Sequence, residues 1–351
     1  MTRARTERTR RIPPSLALPV GGAALLLAVV VGIGTGPIGL DPRTVLAVLG
    51  HELLGIGAGR GALETTVVMQ LRLPRVLFGV LTGAALAVSG ASLQSLFRNP
   101  LADPGIIGVS AGATTGAVAA IVLLPPLTSA LLAWALPAAA MAGGFLATGL
   151  IYLLARPAAG GGTSRLLLVG IAIGSAFAAV TGFLTFTADD DELETVVFWQ
   201  MGSLGSIDAL RLALATGPVL AGIVVLVLLS RRLDLLTLGE RQARHLGLDV
   251  NATRRLVIVI TAVLTGASVA FAGTIGFIGL VVPHIVRLLC GPGHRALLPV
   301  SAVLGALLIV VADTLARIVA PPAEVPIGLF TAAIGAPFFL LLVLRSRAVH
   351  G

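Results

Sequence analysis

Residues 72–112, RLPRVLFGVLTGAALAVSGASLQSLFRNPLADPGIIGVSAG, decide the fold class of this chain. Arg72 and Arg75 flank a proline, and about twenty small and apolar residues follow, which is the length that an α-helix needs to cross a bilayer. A polar break at 98–100 then leads directly into a second apolar run. The stretch therefore predicts two membrane-spanning helices joined by a short turn.

The composition of the whole chain agrees with a membrane protein. Of the 351 residues, 56% are hydrophobic and only 11% are charged, whereas about 25% of the residues in a soluble domain are charged. The 24 basic residues are all arginine and have almost no aromatic residues beside them for base stacking, which excludes nucleic acid as a partner. The single cysteine excludes an intrachain disulfide and a thiolate metal site.

Ten apolar runs, bounded by charges or by Pro and Gly, predict about ten membrane-spanning helices in an all-α chain without a separate soluble domain. The eighth run is short, and its Gly and Pro residues predict a broken or re-entrant helix at 273–283. Residues 16–345 are therefore expected to form a single transmembrane domain. The approximate bounds of the runs are 16–38, 73–97, 104–124, 128–155, 164–187, 209–230, 255–273, 276–290, 296–319 and 326–344.

The arginines predict how the domain is oriented. With the Arg-rich N-terminus, residues 1–15, in the cytoplasm, eighteen arginines lie inside and six outside. This three-to-one bias follows the positive-inside rule and places both termini in the cytoplasm. The first apolar run is long and no A-x-A cleavage site follows it, so it is interpreted as an uncleaved span rather than a signal peptide.

An internal repeat divides the domain into halves at about 16–190 and 191–345. LTGAALAVSG at 81–90 and LTGASVAFAG at 264–273 match at six of ten positions. These segments lie in the second and seventh predicted spans, so the two halves insert with opposite topology. Inverted repeats of this kind are common in transporters.

The outer segments between spans differ in character. The loop 39–71 contains LDPRTVLAVLG, which predicts a surface helix. The acidic run at 189–194 is interpreted as a solvated loop rather than an ion site. Trp199 either borders an outer vestibule or anchors the chain at the membrane interface.

The longest inner loop, 231–254, contains LGERQARHLGLDV. The pattern predicts a short amphipathic helix at the cytoplasmic surface, with an ordinary solvated connector as the alternative. At helical spacing, one side of this segment carries Leu238, Gln242 and either His245 or Leu246, and another carries Arg241 and Arg244.

Glycine and proline residues interrupt the apolar runs. The glycines predict closely packed helices, and the prolines predict local irregularities in them. Close helix packing is expected at Gly83, Gly90, Gly108 and Gly112. Breaks or kinks are expected at Pro100, Pro283 and Pro337.

Several motifs together resemble the FecCD family, the membrane permeases of binding-protein-dependent ABC importers for iron–siderophore complexes, haem and vitamin B12. The resemblance extends from about residue 20 to the C-terminus, with the motifs in matching order. The first motif is the stretch quoted above. The others are TSRLLLVGIAIG at 163–174, FWQMGSLGSIDALR at 198–211, LGERQARHLGL at 238–248, GTIGFIGLVVPHIVRLL at 273–289 and ADTLARIVAPPAEVPIGLFTAAIGAPFFLLL at 312–342.

The resemblance implies a type II ABC importer permease in the bacterial cytoplasmic membrane. It implies a homodimer, or a pseudo-dimer with a homologous permease, of ten-span subunits with the translocation path at the dimer interface. It also implies two cytoplasmic ATPase subunits and an external substrate-binding protein. A ferric siderophore is the expected cargo because siderophore permeases are frequent in the family, with haem and cobalamin as alternatives.

ATP hydrolysis is expected to take place on another subunit. A phosphate-binding P-loop needs a lysine, and this sequence has none. The chain is therefore predicted to be no enzyme and to hold no cofactor, while ATP and Mg²⁺ bind the partner ATPase. Glu240, Ala243 and Gly247 have the E-x-x-A-x-x-x-G spacing that resembles the coupling motif by which such permeases contact the ATPase.

Three arginines are expected at the outer face. Arg72, Arg75 and Arg317 match family positions that receive glutamates of the binding protein, and charge-assisted pairs suit such docking. The alternative is interfacial anchoring or a local ion pair, because Asp313 and Arg317 are spaced i,i+4. Both roles are compatible.

Thr163 and Ser164 match the family's cytoplasmic gate at the start of the fifth span. Small hydroxyl side chains allow close approach of two subunits and form hydrogen bonds without a fixed charge. The same residues suit a helix N-cap. The two interpretations are compatible, and the sequence leaves both open.

Two other classes of protein compete with a permease. GVSAG at 108–112 fits the G-x-S-x-G motif and, with His284, suggests an intramembrane serine protease, but the nucleophile elbow requires a strand-to-helix turn that an apolar span does not provide. A secondary transporter needs ionisable groups at mid-membrane. The predicted spans are almost empty of such groups, with Asp313 near the outer end as the chief exception, so an external energy source fits better.

Overall fold

The computed structural model describes residues 12–57, 59–124, 129–155, 163–321 and 323–347. Within these ranges the regular secondary structure is entirely helical. The arginines of the predicted cytoplasmic N-terminus, at positions 3 to 11, lie outside the described residues.

The helices lie close to the predicted spans, with further short helices between them. In chain order they are α1 (Pro14–Gly34), α2 (Pro42–Leu54), α3 (Ala62–Thr66), a π-helix (Val67–Arg72), α4 (Leu73–Leu96), a 3₁₀ turn (Pro104–Ile107), α5 (Val109–Leu123), α6 (Ser129–Leu154), α7 (Thr163–Thr187), α8 (Asp190–Met201), α9 (Ala209–Leu228), α10 (Ser230–Thr237), α11 (Glu240–His245), α12 (Val250–Ala272), α13 (Ile278–Cys290), α14 (His294–Ala316) and α15 (Ile327–Arg347).

Every predicted span coincides with an apolar helix. Among the described residues, seven helices are long and apolar enough to cross a membrane, and three shorter apolar helices correspond to the remaining predicted spans. The chain is therefore a multi-pass, all-α membrane protein. The count of ten spans and the inverted repeat stay predictions.

The second span is longer than predicted. Residues Ala62–Leu96 form one continuous helix of 35 residues, so it begins well before position 73. The turn Val67–Arg72 is wound as a π-helix immediately before Pro74. Proline has no N–H to donate and disturbs the preceding turn of an α-helix, and a wide π turn at this point accommodates the disturbance.

Helix α4 forms the centre of the fold and packs against α9, α12, α13 and α14. Its closest contacts are made at glycines. A Cβ atom at Gly83 would lie 2.2 Å from the carbonyl oxygen of Gly305, and one at Gly90 would lie 1.9 Å from that of Gly279. Only glycine fits at such distances, so the predicted packing role of these two residues is confirmed.

Helices α5 and α6 are joined in the same way. A Cβ atom at Gly112 would lie 2.2 Å from the carbonyl oxygen of Gly143. Gly108 precedes α5 with a φ of 78°, and a Cβ there would meet Ile151 at 2.4 Å. Both glycines thus have the predicted packing role.

The predicted break at 273–283 is confirmed. Helix α12 ends at Ala272 and α13 begins at Ile278. Gly273 and Phe277 in between have φ values of 70° and 69°, which is uncommon for a phenylalanine. The chain therefore leaves one helix and starts another within five non-helical residues.

Gln94 of α4 compensates for the proline inside α13. Pro283 cannot donate to the carbonyl of Gly279 four residues earlier. The buried Gln94 side chain donates instead, with Nε2 3.1 Å from the oxygen of Gly279 and 3.3 Å from that of Leu280. The proline at this position therefore leaves no backbone acceptor unsatisfied.

Two segments between the predicted spans form helices, α8 and α2. The acidic run is not a loop, because it starts α8, where Asp189 and Glu192 form a reciprocal capping box. Acidic residues in the first turn of a helix are favoured by the helix dipole. The outer helix predicted within 39–71 is confirmed as α2.

We expect Gly90→Ala to destabilise the protein by about 1–3 kcal/mol, because the new Cβ overlaps backbone atoms of α13 and pushes two core helices apart. Gly22→Ala in α1 is the matched control, since no described atom lies within 4 Å of its Cβ position. Thermal unfolding of both variants in detergent measures the difference. Equal melting temperatures would contradict the close α4–α13 contact.

Candidate functional site

The three predicted docking arginines lie together at one end of the fold, which is the outer end in the predicted topology. Arg72 ends the π-helix, Arg75 is in the first turn of α4, and Arg317 follows α14. All three are buried, with exposed fractions of 5%, 8% and 3%. The structure thus groups the predicted residues and withdraws them from the surface of this single chain.

Asp313 is the centre of this outer cluster. Arg75 Nε donates to Asp313 Oδ1 at 2.9 Å, and Arg317 Nε lies 3.1 Å from Asp313 Oδ2. The i,i+4 ion pair that the sequence suggested is therefore confirmed. Because Asp313 is only 2% exposed, its charge depends on the two guanidinium groups for compensation.

Two of the arginines also close the C-terminal end of α1. The last carbonyl groups of a helix have no partner within the helix, and cations are favoured there by the helix dipole. Guanidinium groups from two distant segments therefore cap one helix. Arg317 donates to the oxygens of Gly32 and Thr35 at 2.9 and 2.6 Å, and Arg72 donates to those of Ile33 and Gly34 at 3.1 and 3.0 Å.

Glu324 is the accessible member of the outer cluster. It accepts two hydrogen bonds from Arg75 Nη1, at 2.9 and 2.8 Å, and its side chain is 39% exposed. It lies in the connection between α14 and α15. The cluster contains three guanidinium groups and two carboxylates, so it has one uncompensated positive charge.

An open cavity of about 700 Å³ lies beside Glu324, at the predicted outer face. Its walls come from α8, the end of α12 and the segment before α15. Trp199 lines this cavity together with Asp191 and Glu194. The indole therefore borders an open cavity, which agrees with the first of its two predicted positions.

The predicted coupling motif forms α11 and its two ends. Glu240 forms an ion pair with the buried Arg254 of α12. Ala243 is fully buried, with an exposed fraction of 0%, and Gly247 has a φ of 83° just after the helix. Glu240 and Ala243 thus hold α11 against the neighbouring helices, and Gly247 ends it in a left-handed conformation.

The predicted side of α11 that carries Leu238 and Leu246 faces solvent, with both leucines largely exposed at the two ends of the helix. The buried position of the helix is Ala243. Exposed apolar leucines at an inner surface are suited to contact with another protein. Arg241, Arg244 and His245 surround them.

Sequence reasoning missed a buried link between the α11 region and the core. The backbone N–H and Nδ1 of His294 both donate to Asp234 Oδ1, at 3.1 and 2.6 Å. Nε2 of the same ring is hydrogen-bonded to the Ser95 hydroxyl. Helices α10, α14 and α4 are therefore joined through one imidazole.

A histidine that starts a helix after the turn Gly291–Gly293 was the available signal for this link. Nothing local indicates its partners, which lie 60 and 199 residues away. The order Ser–His–Asp resembles a hydrolase triad, but Ser95 is only 3% exposed. A substrate has no access to its hydroxyl, so the arrangement is structural.

The predicted gate residues start α7, whose first residue is Thr163. The side chains of Thr163 and Ser164 lie outside the described residues. Their role as a gate, as a helix cap or as both stays a prediction.

The protease alternative finds no support in the geometry. Ser110 lies in the first turn of α5 after a 3₁₀ turn, and the described residues contain no strand from which a nucleophile elbow would start. The ring of His284 instead packs against Phe338 of α15, with 6.1 Å between ring centroids.

We expect Asp313→Asn to cost about 3–5 kcal/mol of stability, because two buried guanidinium groups lose their shared carboxylate. Glu324→Gln is the control, since it removes a partly exposed carboxylate from the same Arg75 and should cost at most about 1 kcal/mol. Melting temperatures in detergent report the difference. An equal loss in both variants would contradict the central position of Asp313.

Comparisons with known proteins agree with this architecture. Residues 24–345 match the FecCD transport family. The hemin transport system permease HmuU of Yersinia pestis is 40% identical over 341 residues, 96% of this chain and 98% of that protein. The cobalamin import permease BtuC of Halobacterium salinarum is 42% identical over 335 residues, 95% of this chain and 87% of that protein.

A solved structure gives the same result for the fold. An inward-facing conformation of a metal-chelate type ABC transporter superposes with a TM-score of 0.82 and 32% identity, covering 94% of this chain and 99% of that one. Identity at this level over nearly the whole length identifies the family. The chain belongs to the FecCD transport family and is a membrane permease of the ABC importers for metal chelates, haem or vitamin B12.

Proposed function

We propose that this permease forms its translocation path with a second copy of itself or with a homologous permease, and that α7 faces the partner. Gly174 and Gly182 in α7 have no described atom within 4 Å of their Cβ positions, and Ala178 between them is exposed. The core glycines of α4, in contrast, are in contact with neighbouring helices. Small residues at i, i+4 and i+8 favour close approach of another helix.

The rest of α7 supports this assignment. The helix packs against α5 and α6 and exposes apolar side chains along its length, including Ile171 and Phe183. In this arrangement Thr163 and Ser164, at the cytoplasmic end of the helix, form the gate of the path. Hydroxyl groups there give a narrow passage without a fixed charge.

ATPase subunits act through α11. Each of the two permease subunits seats its α11 in a cleft of one cytoplasmic ATPase. Closure of the ATPases is then transmitted to the permease as a rigid-body movement. Glu240 and Ala243 fix α11 to α12, so a push on the exposed leucines reaches the membrane-spanning helices. ATP and Mg²⁺ bind the ATPase subunits, because this chain has no lysine for a P-loop.

The external substrate-binding protein docks over the outer cluster. Arg72 and Arg317 cap α1 and are held in place. The face of Arg75 towards the solvent is occupied by Glu324. A carboxylate of the binding protein therefore reaches Arg75 by displacing Glu324, and the uncompensated positive charge of the cluster favours its approach.

The cargo is a metal chelate. A ferric siderophore is the proposed cargo, with haem and cobalamin, which appear in the names of the relatives, as the alternatives. The observation that supports the whole assignment is the family match over residues 24–345. The wide outer vestibule, about 700 Å³, suits a bulky ligand that is bound weakly by the permease itself.

We expect Leu246→Cys, in a Cys290→Ser background, to crosslink to the ATPase subunit, because Leu246 is exposed beside α11. The buried Ala243 is unsuitable as a probe. Leu193→Cys on the outer helix α8 is the matched control with an exposed leucine. A crosslink that forms equally at both positions, or at neither, would contradict the coupling role of α11.

We expect a strain lacking this permease to lose uptake of labelled ferric siderophore and to regain it with the intact gene, because the permease forms the proposed path of the chelate through the membrane. Haem and cobalamin uptake are measured in parallel, with the binding protein present. Restored uptake of either alternative would reassign the cargo. Unchanged uptake of all three would contradict the transport function.

A further inference from the structure

A groove between α6 and α12 opens on the outside of the helix bundle. It has a volume of about 230 Å³. Its walls are residues at i, i+3, i+4 and i+7 of each helix, from Phe145 to Tyr152 in α6 and from Arg255 to Ala262 in α12. Four positions over two turns on both helices make a groove roughly 10 Å long.

The polar groups of the groove lie at one end. In the predicted topology α6 runs inward and α12 runs outward, so Tyr152 and Arg255 share the cytoplasmic end. Thr148 on the wall donates its hydroxyl to the carbonyl of Ile107 at 3.1 Å and is satisfied. The rest of the wall is apolar and suits a hydrocarbon chain.

Arg255 is a cation that lacks a protein counter-ion. Its neighbour Arg254 is buried and paired with Glu240. Arg255 is exposed, and within the described ranges no hydrogen bond or ion pair to it is formed. Arg165 adds positive charge nearby, since it donates to the carbonyl of Leu154 at the end of α6, at 3.2 Å.

We propose that this groove binds one anionic phospholipid of the cytoplasmic leaflet. An acyl chain lies along the apolar wall, the phosphate accepts from the Arg255 guanidinium, and the Tyr152 hydroxyl donates to the headgroup. Basic pockets between membrane helices on the cytoplasmic side recognise anionic headgroups in this way, and tyrosine is favoured at that depth. The inference is independent of the cargo and of the coupling and docking roles.

The test uses the purified full-length permease and measures retained phosphatidylglycerol against phosphatidylcholine by native mass spectrometry. Arg255→Gln should lower the preference for phosphatidylglycerol about fivefold, the factor expected for one basic side chain near a lipid phosphate. Arg232→Gln is the matched control, an exposed arginine on the cytoplasmic helix α10 outside the groove. It should leave the preference unchanged.

A second variant tests the apolar wall without removing a charge. No described atom lies within 4 Å of a Cβ at Gly149, so Gly149→Leu fills the groove without displacing a helix. It should reduce retention of the bound lipid without lowering the melting temperature in detergent, since leucine is a better helix former than glycine. The proposal is overturned if neither Arg255→Gln nor Gly149→Leu changes lipid retention, or if Arg232→Gln lowers the preference as much as Arg255→Gln.

Discussion

The carboxylate of Asp313, shared between Arg75 and Arg317, is the interaction on which the outer half of the structure depends. It joins the start of α4 to the end of α14 in a site nearly closed to solvent. Such a buried charge is tolerated only with its partners in place. Because Arg317 also caps α1, one acidic side chain fixes the outer ends of three helices relative to one another.

The same cluster constrains how the permease meets its external partner. The arginines that the family resemblance assigns to docking are already used within the chain, so reversing their charge would damage the fold as well as the interface. Glu324 allows the structural role and the docking role of the arginines to be tested separately, because it is the exposed partner of the buried Arg75 guanidinium. In the proposed docking by carboxylate exchange, Asp313 and the cap of α1 stay undisturbed, and the exchange acts on the segment that leads into α15 beside the cavity.

Local sequence patterns were sufficient to predict the spans, the packing role of the glycines and the Asp313–Arg317 pair, since each prediction depends on residues that are close in sequence. The helical start at Ala62 was missed because the whole of 39–71 was assigned to an outer loop, whereas the helix of α4 begins within it. The acidic run was interpreted as a loop because of its charge, although Asp189 and Glu192 have the spacing of a capping box and start α8. The burial of Arg72 and the Ser95–His294–Asp234 link depend on partners far away in sequence, which no local pattern reveals.

The most direct measurement is the affinity of the proposed substrate-binding protein for the assembled importer in nanodiscs. With Glu324→Gln, the affinity should rise up to about fivefold, because an exposed competing ion pair is lost. Glu194→Gln removes the same charge from the same vestibule without touching Arg75 and should change the affinity less. Equal or weaker binding by Glu324→Gln, or an equal rise in both variants, would contradict carboxylate exchange at Arg75.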